Sequence, residues 1–120
     1  MAEENTGKVK IDTEVLASIA GVAAMGVPGV HRIKTGLVAG ITHLFRKRPD
    51  AGIHVVVGEG EVSFTLSIVV DYGVNIPEVT FQVQKKIREE VEKMSGLKVS
   101  RVDVLVRGVN LSEKRSRKND

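Results

Sequence analysis

Two runs of strict alternation mark the middle of the chain. Ile53, Val55 and Val57 alternate with His54 and Val56. After Gly58-Glu59-Gly60, Val62, Phe64, Leu66, Ile68 and Val70 alternate with Ser63, Thr65, Ser67, Val69 and Asp71. A period of two puts every second side chain on one face of a pleated strand. Two such runs across a glycine-bearing turn predict a β-hairpin with one buried face. A loop at Gly58-Glu59 pairs Val55 with Val62, and a loop at Glu59-Gly60 pairs Val57 with Val62. Both registers keep the apolar faces together, so both remain open. Val102, Val104 and Val106, set between Arg101, Asp103, Leu105 and Arg107, predict a last strand.

Helical spacing takes over on either side. Asp12 stands where an N-cap belongs, with Glu14 in the first turn, and Val15, Leu16, Ile19, Ala20 and Ala23 follow on one face. Met25-Gly26-Val27-Pro28-Gly29 ends that helix. Asn75 opens a second, longer helix with Pro77 in its first turn and Glu78 at the capping-box position. Its apolar stripe is Val79, Val83, Ile87, Val91 and Met94. Its outer face carries Lys85/Glu89, Lys86/Glu90, Arg88/Glu92 and Glu89/Lys93 at i, i+4 spacing, and Gly96 caps its end. Val9-Lys10-Ile11 reads as a short first strand. Leu37, Val38, Ile41, Leu44 and Phe45 fit an amphipathic helix interrupted by Gly36 and Gly40. The segment from Leu37 to Arg48 can be a packed helix, a loop that folds on a partner or a membrane-surface helix.

This order predicts an α+β fold. It is a two-layer sandwich with two main helices on one face of a mostly antiparallel three- to four-stranded sheet, related to the split β-α-β arrangement. The crossover from the hairpin through the long helix to the last strand is expected to be right-handed.

A chain of 120 residues is one domain's worth and buries roughly two-thirds of its unfolded surface. Residues 1–7 read as a flexible leader, 8–111 as the α+β domain and 112–120 as a disordered basic tail. Cysteine is absent, which excludes disulfides and thiolate metal sites and suits a reducing cytosol. The opening residues lack the apolar core of a signal peptide. The longest uncharged apolar run, Val15 to Val30, is short for a membrane span and is broken by Gly21, Gly26, Pro28 and Gly29. The net charge of +3 divides unevenly, with 14 basic and 13 acidic side chains before residue 113. The excess sits in Arg46, Lys47 and Arg48 and in Lys114, Arg115, Arg117 and Lys118, so no field over the whole domain draws in nucleic acid.

Candidate chemistry is sparse. His31, His43 and His54 have no metal-ligand spacing, and no nucleophile, base and acid can be nominated together. Asp71 and Tyr72 are adjacent in a strand and point to opposite faces. Gly58-Glu59-Gly60 lacks the lysine and helix that a phosphate cradle needs and reads as the hairpin turn. No catalytic, cofactor or metal residue is expected. The sheet face away from the helices shows His54, Val56, Ser63, Thr65, Ser67, Val69, Asp71, Arg101, Asp103, Leu105 and Arg107. Without a central aromatic it is no platform for stacked bases. It reads either as an ordinary solvated face or as a protein contact through Val56, Val69, Arg101, Asp103, Leu105 and Arg107.

From Gly7 to Leu111 the chain resembles the alkaline-shock-protein family of general stress proteins of Gram-positive-type bacteria. The residues that carry the resemblance are Ile11 through Ala24, Val27-Pro28-Gly29-Val30, Gly52 through Glu61, Val69 through Val79, Val83-Gln84, Met94-Ser95-Gly96-Leu97 and Val102 through Gly108. The most specific stretch is Tyr72-Gly73-Val74-Asn75-Ile76-Pro77-Glu78-Val79, followed by Gln84 and Ser95-Gly96-Leu97. Ser95 and Asp103 stand where threonine and asparagine are usual in the family, which leaves the branch and its partner open. The resemblance implies a cytoplasmic protein without catalysis, linked to stress of the cell envelope and in some relatives held at the membrane by a separate protein. The reading is a scaffold or adaptor that associates with itself or with a membrane-anchored partner. The rival reading is weak, sequence-indifferent nucleic-acid binding through the basic clusters.

Overall fold

The computed structural model describes residues 6–34 and 52–112. The Leu37 to Arg48 segment, for which the sequence leaves a packed helix, a loop and a membrane-surface helix all open, and the tail from residue 113 lie outside the described residues.

Among the described residues the elements are α1 (Thr13–Met25), β1 (Val30–Ile33), β2 (Ile53–Val57), β3 (Glu61–Asp71), α2 (Ile76–Ser95) and β4 (Lys98–Asn110). The alternation over β3 is realised in full. Val62, Phe64, Leu66, Ile68 and Val70 are almost completely buried, and each contributes about 1.5–3 kcal/mol by leaving water. They meet Leu16, Ala20 and Ala24 of α1 and Val79, Val83, Ile87 and Val91 of α2 in one apolar core. The alanines of α1 let its backbone lie close to the sheet. Val15, expected in the same stripe, is exposed, as is Met94 at the last turn of α2. Val15 shares its face of α1 with Val22, two turns on and also exposed, so that face is the outer one.

β3 is the central strand. β4 pairs with it in parallel from Glu61 to Asp71, and so occupies one edge along its whole length. β2 pairs antiparallel with Val62–Leu66, and β1 antiparallel with Ile68–Val70, so the two share the other edge end to end. Two of the three pairings are antiparallel. α1 packs on α2, β1 and β2, and α2 packs on β4, which places both helices on one face. The crossover from β3 through α2 joins adjacent strands, and no third strand stands between them as in the split form.

The hairpin adopts the Glu59-Gly60 loop, with Val57 opposite Val62 and the Gly58 N–H donating to the Glu61 carbonyl at 2.8 Å. Gly60 takes a φ of 71°, a conformation costly for a side-chain-bearing residue. The short strand expected at Val9-Lys10-Ile11 does not form. The fourth strand is Val30–Ile33 instead, in a stretch with no alternation to reveal it. Gly29 delivers the chain into it with a φ of 101°, and a Cβ there would stand 2.8 Å from a Val79 methyl.

The caps divide as well. Asn75 Oδ1 accepts the Glu78 N–H at 2.9 Å, and Gly96 closes α2 with its N–H on the Glu92 carbonyl. Asp12 occupies the N-cap of α1 but makes no side-chain cap bond. On α2 the Lys85–Glu89 and Lys86–Glu90 pairs form, whereas Lys93 pairs with Glu90 rather than Glu89.

Candidate functional site

The face of the sheet opposite the helices is organised in rows set by the strand pairing. Val56, Ser63 and Arg101 form one row, and His54, Thr65 and Asp103 the next. Ser67 and Leu105 form a third, and Arg32, Val69 and Gly108 a fourth. Arg101 Nε donates to both carboxylate oxygens of Asp103, at 3.0 and 3.2 Å. Arg107 reaches across to β3, its Nε 3.4 Å from Ser67 Oγ. At the far end His31 Nδ1 lies 3.5 Å from Asp71 Oδ1 and 3.2 Å from Asn110 Nδ2. The sequence holds His31 apart from both partners, and the pairing of β1 and β4 with β3 brings the three together, with His31 at the register shift between Val30 and Arg32.

The six candidate contact residues do not form one patch. Val56 and Leu105 are open, at 54% and 39% exposure, but Val69 is 7% exposed. The expectation that Val69 is presented to a partner is therefore corrected. It sits on the central strand with Arg32 on one side and Gly108 on the other. Neighbours on both sides shield a short β-branched side chain, whereas Val56 and Leu105 lie on flanking strands. Val56 and Leu105 are two strands and four residues apart in the ladder, roughly 16 Å by strand spacing and rise. Polar Ser63, Thr65 and Ser67 lie between them. Arg101, Asp103 and Arg107 are all on this face, and together with Leu105 they belong to β4.

The remaining chemistry is thin. Among the described residues no polar or charged side chain is buried, no buried side-chain oxygen or nitrogen lacks a partner, and no group of three or more His, Asp or Glu could hold a metal ion. An open depression of about 330 Å³ at the hairpin end is lined by Val56, Glu59, Glu61, Ser63 and Ser100, with two carboxylates and no cation. Phe64 is buried in the core, and Phe81 is exposed on α2 rather than on the sheet. Arg46, Lys47, Arg48, Lys114, Arg115, Arg117 and Lys118 lie outside the described residues.

Sequence reasoning misses two side chains that tie α2 to β4. Gln84 Nε2 donates to the Val102 carbonyl at 3.0 Å, and Glu92 Oε2 accepts the Val99 N–H at 2.9 Å. In the sequence Gln84 stands out only as part of the family pattern, and Glu92 only as an i, i+4 partner for Arg88.

No described helix is long and apolar enough to cross a membrane. No solved structure matches the chain. The chain is 32% identical over 117 residues to the protein YqhY of Bacillus subtilis, covering 95% of this chain and 87% of that one. It is 32% identical over 109 residues to YloU of the same organism, covering 88% and 91%. It is 28% identical over 109 residues to a stress response regulator gls24 homolog of Streptococcus pyogenes, covering 89% of this chain and 61% of that protein. Residues 1–111 match the model of the alkaline-shock-protein family, which is described by a cell envelope-related function. With that match over nearly its whole length, the chain belongs to the alkaline-shock-protein family that its sequence resembles.

Proposed function

We propose that this protein is a non-catalytic adaptor or scaffold of the envelope stress response. It works in the cytoplasm through contacts with other proteins, with itself and with a membrane-anchored partner. The family's envelope-related description and the stress-response name of the Streptococcus relative support the setting. The observation that carries the mechanism is the make-up of the open sheet face. On the helix-free sheet face Arg101 and Asp103 pair with each other and Val56 and Leu105 stand open, a surface of mixed charge and scattered aliphatics suited to another protein. The working unit is residues 8–111, with the leader and the basic tail as accessories.

The test is affinity capture of the tagged protein from its native cells, with membrane and cytoplasmic fractions separated. Wild type should recover a defined partner, partly in the membrane fraction. Leu105→Lys, which changes an exposed residue, should lose partner or self-association while keeping its melting temperature. Replacing Arg46, Lys47 and Arg48 with Ser should leave capture intact. If the basic-cluster variant loses its partner and Leu105→Lys keeps it, the reading gives way to an electrostatic or nucleic-acid function.

A further inference from the structure

We propose that the outer edge of β4 is the self-association site, where two copies pair β4 with β4 antiparallel about a twofold axis at Leu105. The proposal deepens, and rests on, the self-association named above.

The edge itself is the first observation. β4 is 13 residues long and is paired on one side only among the described residues. An edge strand of that length presents a row of N–H and C=O groups that template another strand. The other flank of the sheet is divided between two short strands, β1 and β2 of four and five residues.

The second observation is how α2 treats that edge. The Lys98 N–H donates to Gly60 beside β3, so the next residue along, Val99, turns its backbone outward. Glu92 takes that outward N–H, and Gln84 takes the outward carbonyl of Val102. Strand alternation, resumed after the irregularity at Ser100, then aims the N–H and C=O of Val104 and Val106 outward too. The Asn110 carbonyl, which receives the Tyr72 N–H, points back toward β3, as the second bulge between Val106 and Gly108 requires. The helix therefore caps the early part of the edge and leaves Val104 and Val106 with no described partner on that side. Phe81, 54% exposed, stands one turn before Gln84 and so on the same flank of α2.

The third observation is charge, which favours one register, since an axis at Val106 would set Asp103 against Val109 and Arg107 against Leu105 and form no ion pair. With the axis at Leu105, Asp103 of each copy faces Arg107 of the other. Leu105 meets its own copy between these two pairs. On the helix side Val104 faces Val106 twice, and those are the residues whose backbone groups point outward. An axis at Asp103 or Arg107 sets like charges against each other, and an axis at Val104 sets Arg101 against Arg107. Opposite charges across a strand pair stabilise it and like charges oppose it. Asp103 already holds Arg101 of its own chain, and a carboxylate has acceptor sites for a second guanidinium. The ladder is short, so the dimer is reversible and concentration-dependent.

The chain contains no cysteine, so an engineered thiol reports the contact cleanly. Residues opposite each other in a non-hydrogen-bonded antiparallel pair have Cα atoms about 4.5 Å apart, within the reach of a disulfide. Leu105→Cys should give a covalent dimer on mild oxidation, and Val56→Cys, exposed on the opposite flank, should remain monomeric. In sedimentation, Asp103→Arg and Arg107→Asp should each weaken association by about tenfold or more, and the double exchange should restore it. Cross-linking of Val56→Cys in place of Leu105→Cys would overturn the edge and leave self-association on the open face. A double exchange no better than the single ones would overturn the register. A wild type that sediments as a monomer, with neither cysteine cross-linking, would overturn the proposal while the adaptor reading stands on capture of a different protein.

Discussion

The Glu92 carboxylate accepts the Val99 N–H at 2.9 Å, fastening the last turn of α2 to the first residues of β4. A hydrogen bond to a charged group contributes about 1.5–3 kcal/mol. Glu92→Ala should lower unfolding stability by about that much, and Glu92→Gln by less, since an amide oxygen still accepts. Arg88→Ala should be close to neutral. Urea denaturation of the three variants checks this, and equal losses from Arg88→Ala and Glu92→Ala would restore the i, i+4 pair as the main interaction.

Gly29 carries two constraints at once, a positive φ and a Val79 methyl where a Cβ would go. Gly29→Ala should cost about 1–3 kcal/mol through backbone strain, with the contact adding to it. Gly58→Ala is the control, because its nearest neighbours stand at 3.9 Å or beyond and its φ is ordinary. Thermal melts should separate the two variants clearly, and similar melting temperatures would remove Gly29 as the determinant of entry into β1.

Val69 and Val56 occupy the same sheet face with opposite burial. Val69→Lys should destabilise the fold, by about 1–3 kcal/mol, whereas Val56→Lys should stay within about 0.5 kcal/mol of wild type. Chemical denaturation distinguishes them. A stable Val69→Lys protein would show that its neighbours part to let the ammonium reach water.

Asn75 and Asp12 are both N-caps by position, but only Asn75 makes the side-chain bond. Asn75→Ala should cost about 1 kcal/mol and Asp12→Ala only a small fraction of that. Helix-specific hydrogen exchange at the first turns of α1 and α2 should show fraying confined to the Asn75 variant.

Much of the fold is legible in the residues. The alternation of β3 names its five core residues, and the 3.6-residue spacing of Val79, Val83, Ile87 and Val91 names the buried stripe of α2. Asn75, Pro77, Glu78 and Gly96 mark where that helix begins and ends. The candidate site is less legible. Arg101, Asp103, Leu105 and Arg107 lie on the face that their parity gives them, yet Val56 and Val69 do not join them in one patch. Alternation says which way a side chain points and nothing about what stands beside it.

That division runs through the whole molecule. Face, period and cap position follow from the sequence alone, because they depend on torsions and neighbours within a few residues. Tertiary structure alone decided that Val30–Ile33 is a strand, that Val69 is shielded between Arg32 and Gly108, and that Glu92 turns from Arg88 to Val99. Each of these depends on a partner that the folded chain brings alongside. A strand of four residues leaves no periodic signature, and a carboxylate goes to the donor that the packed helix sets within its reach.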